Sequence, residues 1–236
     1  LDEFESMRPG VPANVQCISY PFYTEEGYPV WDDLVQDVFP ISEDVVRDPE
    51  ELATIIYTSG TTGMPKGVMH KFFNFGFAAK NAVNTINLDN TEKFFSYLPL
   101  CHIAERLLVE MGSLYTGGQV SFAESLDTFA QILSETQPTV FLGVPRIWTK
   151  FQQGVLAKLH QKKLNILLSI PIISSLIKKK IRTGLGLNDA TNVFTGAAPT
   201  PTSTIKWFER LGVKIQEAYA MTENCCYSHV TLNNLI

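Results

Sequence analysis

The chain has 236 residues, of which 45% are hydrophobic and 18% charged, with a formal net charge of −5. That length supports one large or two small cores of an ordinary soluble globular protein, and the acidic balance argues against a general nucleic-acid binder, which carries a basic face. The sequence shows no internal repeat, low-complexity run or basic tail, and its first residues lack the basic-then-apolar pattern of a secretory signal.

In chain order, residues 14–20 read as a short strand. Residues 52–58, LATIIYT, are apolar, β-branched and short, which marks a buried strand. A loop rich in Gly, Ser and Thr follows, and 72–86 then has helical periodicity. Residues 93–98 are strand-like, and Pro99 ends them. Residues 103–115 read as a helix stopped by Gly117 and Gly118. A strand is predicted over 119–122, and Ser125 is predicted to cap a helix ending near Glu135. Another strand is predicted over 139–142, with Pro145 opening the next helix at a favoured early position. A strand over 191–195, a helix over 202–211 and a strand over 213–217 complete the series. Strands alternating with helices imply an α/β fold with a mostly parallel sheet covered by helices. Ligands in such folds sit at the carboxyl ends of the strands. The loops after Thr58, Leu98, Thr195 and Glu217 are expected to meet there and share one site.

The longest apolar run, LNILLSIPIISSLI over 164–177, is short for a membrane span and contains Pro171. Lys162, Lys163, Lys178, Lys179 and Lys180 flank it. Two readings stand: a helix pair packed on the body with its lysines in water, and an interfacial patch giving weak peripheral membrane contact through 162–180. Cys17, Cys101, Cys225 and Cys226 match no zinc spacing and are too few for a disulfide scaffold. A reducing, cytoplasmic setting is the simplest expectation.

The strongest chemical signal is YTSGTTGMPKGV over 57–68. Its glycines let the backbone approach a ligand closely, and the freed N–H groups can cradle an anion. Ser59, Thr61 and Thr62 add hydroxyl donors, and Lys66 adds a positive charge suited to a polyphosphate. This is not a Walker loop, because Lys66 is followed by Gly67 and the apolar pair Val68 and Met69 rather than by Ser or Thr and a helix. A Walker-type kinase or ATPase is therefore excluded.

This run resembles the signature loop of the acyl-adenylate-forming superfamily, which includes acyl-CoA synthetases, firefly luciferase and peptide-synthetase adenylation domains. The resemblance implies that Thr58, Ser59, Gly60, Thr61, Thr62, Gly63 and Lys66 hold the ATP β- and γ-phosphates. Three further segments fit the family's order and spacing. LPLCHIAER over 98–106 would, taken alone, be a strand end with a core histidine. By resemblance to the medium- and long-chain branches it places His102 near the carboxylate and α-phosphate, with Glu105 and Arg106 as a structural pair. TGAAP over 195–199 would serve equally as a tight strand-to-helix turn, while the family's use of it puts Gly196, Ala197 and Ala198 against adenine. QEAYAMTEN over 216–224 resembles the family's Y-G-M-T-E element, with Ala220 in place of the usual Gly. Tyr219 would stack on adenine, Thr222 would bond the α-phosphate, and Glu223 would hold Mg²⁺, which prefers hard oxygen ligands.

The resemblance thus implies the large domain of an adenylate-forming enzyme. Its substrates are ATP, CoA and a carboxylic acid, fatty if Phe72, Phe73, Phe75 and Phe77 line a greasy pocket rather than plain core. Lys66, His102, Thr222 and Glu223 are the expected catalytic set. No ribose-binding Y-R-T-G-D stretch follows Glu223, and the family's C-terminal lysine is not in the chain, so 1–236 is expected to be the central part of the adenylation domain. Both ends read as cuts through a longer protein, and the isolated chain is expected to turn over little. Two other readings remain open: a peptide-synthetase or aryl-acid type of adenylate former, and an inert nucleotide-binding or scaffold fragment.

Overall fold

The computed structural model describes residues 6–12, 14–20, 28–59 and 63–232. It separates into two units, Leu1–Val46 and Arg47–Ile236. In the first, a 3-10 turn spans Arg8–Gly10 and a short helix, α1, spans Trp31–Val35. The strand expected over 14–20 does not form: its backbone makes one isolated bridge, Ser19 to Val30. A strand needs a continuous neighbour to pair its alternate N–H and C=O groups, and here the pairing stops after a single bridge.

The second unit opens with β1 (Leu52–Thr58) and β2 (Lys66–Lys71). They pair antiparallel, from Leu52 opposite Lys71 to Thr58 opposite Lys66, as a separate two-stranded sheet. This corrects the expectation that β1 joins the parallel sheet. Of its apolar side chains only Ile56 is buried, whereas Leu52, Ile55 and Tyr57 are exposed. Strand β2 went unforeseen because Gly67 and its terminal lysines interrupt the apolar pattern that marks a strand.

Helix α2 (Phe72–Ile86) follows at the predicted bounds. Asn74 starts it, its Oδ1 accepting from the Lys71 amide at 2.8 Å, and Asn87 ends it in the left-handed region at φ 53°. The main sheet contains β3 (Lys93–Ser96), β4 (Gln119–Phe122), β5 (Val140–Gly143), β6 (Asn192–Thr195), β7 (Ile215–Tyr219) and β8 (His229–Val230). Their order is β4-β3-β5-β6-β7-β8, and only β8 runs antiparallel to its neighbour. The connecting helices are α3 (Gly112–Thr116), α4 (Phe129–Thr136), α5 (Pro145–Lys158), α6 (Gln161–Ser169), α7 (Pro171–Gly184) and α8 (Thr202–Arg210).

Two helix expectations need correction. The segment before α3 widens to a π-helix over Glu105–Met111, and this turns Glu105, Leu107 and Val109 inward. Helix α4 begins at Phe129 with Thr128, not Ser125, at its N-cap position. Ser125 and Thr128 satisfy each other instead: each backbone amide donates to the other's hydroxyl at 3.2 Å.

Successive strand residues divide between two cores, because side chains alternate across a sheet. Phe95, Phe141, Val193 and Ile215 join α4, α5, α6 and α8 in the larger core, which holds Leu133, Trp148, Leu164 and Phe208. Phe94, Val140 and Phe194 face the other way, onto Leu88 and Val109. Both faces are therefore covered, as a parallel sheet requires. A third cluster joins β1 (Ile56), α2 (Phe75, Ala78, Ala79), the π-helix region (Ile103, Leu107) and Cys225.

Candidate functional site

Strands β6 and β7 end side by side, and the loops leaving them bound a cavity of 610 Å³. Its lining includes Thr195, Ala197, Ala198, Glu217, Tyr219 and His229. The TGAAP and QEAYAMTEN segments therefore meet at the carboxyl edge of the sheet. The hydroxyls of Thr195 and Thr200, both buried, lie 2.6 Å apart and close the first loop on itself. Within that loop Ala197 adopts φ +67°, a left-handed conformation that disfavours a side chain. Gly196 stands where a β-carbon would come within 3.2 Å of the Ala218 carbonyl oxygen. The small residues thus let β7 approach the loop closely. Tyr219 is 64% exposed and tilts against His229, with ring centroids 6.2 Å apart. Its face is free to take a flat partner.

Two residues after Ala220 the chain makes a 3-10 turn, Thr222–Asn224. The Met221 amide donates to Asn224 Oδ1 at 3.1 Å, and Cys225 and Cys226 then both adopt positive φ, 54° and 55°. Two successive left-handed residues other than glycine are unusual and mark a turn held by its surroundings. Burial of Cys225 in the third cluster supplies that hold. Burial also pushes both thiols up to about 11, so neither is a thiolate at neutral pH.

Glu223 lines a second cavity, of 210 Å³, with His70, Phe73, Asn74, Phe77 and Tyr227. The carboxylate is exposed. His70, from β2, is 2% exposed, and its Nε2 has no hydrogen-bond partner. An orphaned buried nitrogen is expensive, roughly 1–3 kcal/mol, and the residue that carries it is one of those lining the cavity. Sequence reading missed His70, because β2 itself was missed. The phenylalanine cluster divides: Phe75 packs in the third cluster, whereas Phe72, Phe73 and Phe77 are all exposed, the last two along the cavity rim.

The signature loop is the turn of the β1–β2 hairpin. Thr58 and Lys66 face each other across its neck, where the Thr58 hydroxyl donates to the Lys66 carbonyl at 3.5 Å. Ser59, Gly63 and Lys66 are exposed, and Gly63 has φ +83°. Gly60, Thr61 and Thr62 lie outside the described residues. Strand β2 contacts the Thr222–Asn224 turn. The third cluster accordingly fastens the loop-bearing hairpin, the LPLCHIAER segment and the start of the Cys225 turn to one another.

His102 is exposed and lines neither cavity, and its carbonyl accepts from the Glu105 and Arg106 amides. Glu105 and Arg106 do not pair. Arg106 Nε bonds Glu110 Oε2 at 2.6 Å and its guanidinium lies over the Phe75 ring. Glu105 is 2% exposed with Oε1 unpartnered. Burial raises its carboxyl above the ordinary range, against the pull of the Ser96 hydroxyl and the Leu98 and Tyr97 amides.

The AMP-binding enzyme family matches residues 9–235. A long-chain-fatty-acid–CoA ligase, ACSBG2 of Xenopus laevis, is 35% identical over 210 residues, covering 75% of this chain and 28% of its own length. Its human counterpart is 31% identical over 229 residues, covering 82% and 34%. The chain thus spans about a third or less of the relatives it matches, 28% and 34% in these two. Among solved structures, the A-PCP didomain of carboxylic acid reductase from Segniliparus rugosus in complex with AMP superposes with TM-score 0.62 at 28% identity, over 78% of this chain and 26% of that one. The anthranilate CoA ligase AuaEII, in complex with anthranoyl-AMP, superposes with TM-score 0.71 over 98% of this chain and 40% of its own, with 19% identity. That last likeness speaks to the fold alone.

Proposed function

This chain belongs to the family of AMP-binding enzymes, and from that premise we propose that it is the nucleotide-binding middle of an AMP-forming acyl-CoA synthetase. The complete enzyme would activate a carboxylic acid, fatty by analogy with the ligases it is similar to. The observation that carries the reading is the cavity where Ala197, Ala198 and Tyr219 meet, from loops more than twenty residues apart in sequence. Its 610 Å³ falls within the few hundred to about 1,000 Å³ usual for small-molecule sites.

In this reading adenine lies between the Tyr219 ring and the backbone of Gly196, Ala197 and Ala198. Thr58, Ser59, Gly63 and Lys66, with Gly60, Thr61 and Thr62 of the same loop, hold the β- and γ-phosphates, and Thr222 bonds the α-phosphate. Glu223 fits Mg²⁺, since that ion uses one or two carboxylates together with substrate phosphates rather than an all-protein cage. Among the described residues no cluster of three or more His, Cys, Asp or Glu forms such a cage. When bound, the ion neutralises phosphate charge.

The acid's carboxylate oxygen attacks the α-phosphorus in line, the bond to the bridging oxygen breaks, and pyrophosphate leaves. The sulfur of CoA then attacks the acyl carbonyl, AMP leaves, and the thiol proton passes to solvent. The residues here contribute by positioning and charge neutralisation. His102 is assigned to the reacting carboxylate in the complete enzyme. The cavity lined by Phe73 and Phe77 is assigned to the apolar part of the acid. A second reading, adenylation for an acceptor other than CoA, is favoured by the likeness to a carboxylic acid reductase. The work is placed in the cytoplasm, and no helix among the described residues is long and apolar enough to cross a membrane.

Calorimetric titration of this chain with AMP and ATP, with and without magnesium, tests the nucleotide site. Saturable heats are expected, and their complete absence would overturn the proposal. Hydroxamate trapping by the complete enzyme, across acids of increasing length and with CoA withheld or supplied, separates the two readings.

A further inference from the structure

Between Thr136 and Asn188 the sequence carries nine lysines and arginines and not one Asp or Glu, although the whole chain has net charge −5. Helices α6 and α7 lie in this stretch and meet at the single residue Ile170. One face of the pair is anchored: Leu164 is buried in the larger core, and Leu168, Ile177 and Ile181 pack against it. The other face is not. Ile166, Ile172 and Leu176 are 65%, 79% and 65% exposed, and Ile170 is 43% exposed. These four side chains flank the junction, while Lys162 and Lys163 stand at the start of α6 and Lys179 and Lys180 near the end of α7, all exposed. Among the described residues no carboxylate pairs with any of these lysines.

We propose that the outer face of α6 and α7 docks on an anionic phospholipid bilayer, with Ile166, Ile170, Ile172 and Leu176 inserted and the lysines set among the headgroups. The spacing suits this. Lys162 and Ile166, and Leu176 and Lys180, are i,i+4 pairs on one face of their helices, about 6 Å apart along the axis, so each lysine stem can lie beside the apolar residue and carry its ammonium outward to the headgroups. An interfacial helix buries its apolar face roughly 5–10 Å deep with its cations at headgroup level. The helices are too short to span a bilayer, so the patch rests on the surface. A second copy of the same face would oppose lysine to lysine, which disfavours self-association. The acidic remainder of the chain is repelled by the same lipid surface, so approach is oriented with this face first. The proposal stands independently of nucleotide binding.

The test is co-sedimentation of the purified chain with vesicles of pure phosphatidylcholine and of equimolar phosphatidylcholine and phosphatidylglycerol, at low and high salt. Pelleting is expected with the anionic vesicles and should weaken as salt rises. Loss of one interfacial lysine weakens binding about fivefold, so K179Q/K180Q should bind roughly 25-fold less well. I172S/L176S should also lose binding while keeping the wild-type circular dichroism melt. In a second measurement, the tryptophan of I172W should shift its emission to the blue with anionic vesicles and be quenched by brominated lipid. Equal pelleting with both vesicle types, wild-type binding by the lysine variant, or an unshifted tryptophan would overturn the proposal. So would a concentration-dependent dimer abolished by I172S/L176S, since the face would then belong to a second copy. Calorimetry with AMP on the same preparations reports the nucleotide site separately.

Discussion

Glu105 sits where its charge is least welcome. Its folded carboxyl holds a proton more tightly than the unfolded chain does, since burial raises its pKa. The sign follows from linkage: this group costs no stability below the ordinary glutamate range, and its cost grows as pH climbs from there through the raised folded value. Glu105→Gln should flatten that fall and leave the variant more resistant to urea at neutral pH. Unfolding midpoints at about pH 4 to 8 would show it, and parallel profiles for the two proteins would refute it. Tyr219 is the opposite case, an exposed ring with little to lose on folding. Tyr219→Ala should leave the melt unchanged yet weaken AMP binding about tenfold, since stacking a base on an aromatic ring is worth roughly 1–3 kcal/mol. The cysteines separate by burial. Cys101 is exposed, whereas burial of Cys225 and Cys226 pushes their thiols up to about 11. A thiol reagent at neutral pH should label Cys101 well before Cys226 and reach Cys225 only on unfolding, as mass spectrometry of digests would reveal.

Among the elements, helix ends carry much of the specification. Pro145 and Pro171 open α5 and α7, where a missing N–H is harmless. Gly186, two residues past α7, has φ +73°, and a β-carbon there would stand 2.3 Å from the Leu133 carbonyl oxygen of α4. Gly186→Ala should therefore destabilise by about 3 kcal/mol or more, combining left-handed strain with a backbone clash. A melting midpoint within a degree or two of wild type would contradict this. Helices were legible in the sequence because an apolar stripe at the helical period is a local pattern. The π-helix was not, since its widening answers to what Glu105, Leu107 and Val109 meet inside. The β1–β2 hairpin was half legible. The apolar run of β1 announced a strand, but its true partner, β2, has a sequence too polar to declare itself.

At the scale of the whole molecule, the sheet brings TGAAP and QEAYAMTEN together by placing β6 beside β7, and the third cluster ties the loop-bearing hairpin to the turn after Tyr219. The chain matches only 28% of the Xenopus laevis ligase's length. By itself it should bind nucleotide but support little ATP–pyrophosphate exchange, and exchange at an ordinary rate would refute that. The sequence alone determined the succession of strands and helices between residues 72 and 217, the π-helix apart, and the four motifs, because periodicity, turn chemistry and glycine-rich loops are written in neighbouring residues. Tertiary structure decided the rest: which sheet β1 joins, that His70 is buried with an unpartnered nitrogen, that His102 lies outside both cavities, and which face of α6 and α7 stays uncovered. Those outcomes depend on pairings and burial between residues distant in the chain, where the free energy of each choice is set by the partner and not by the residue itself.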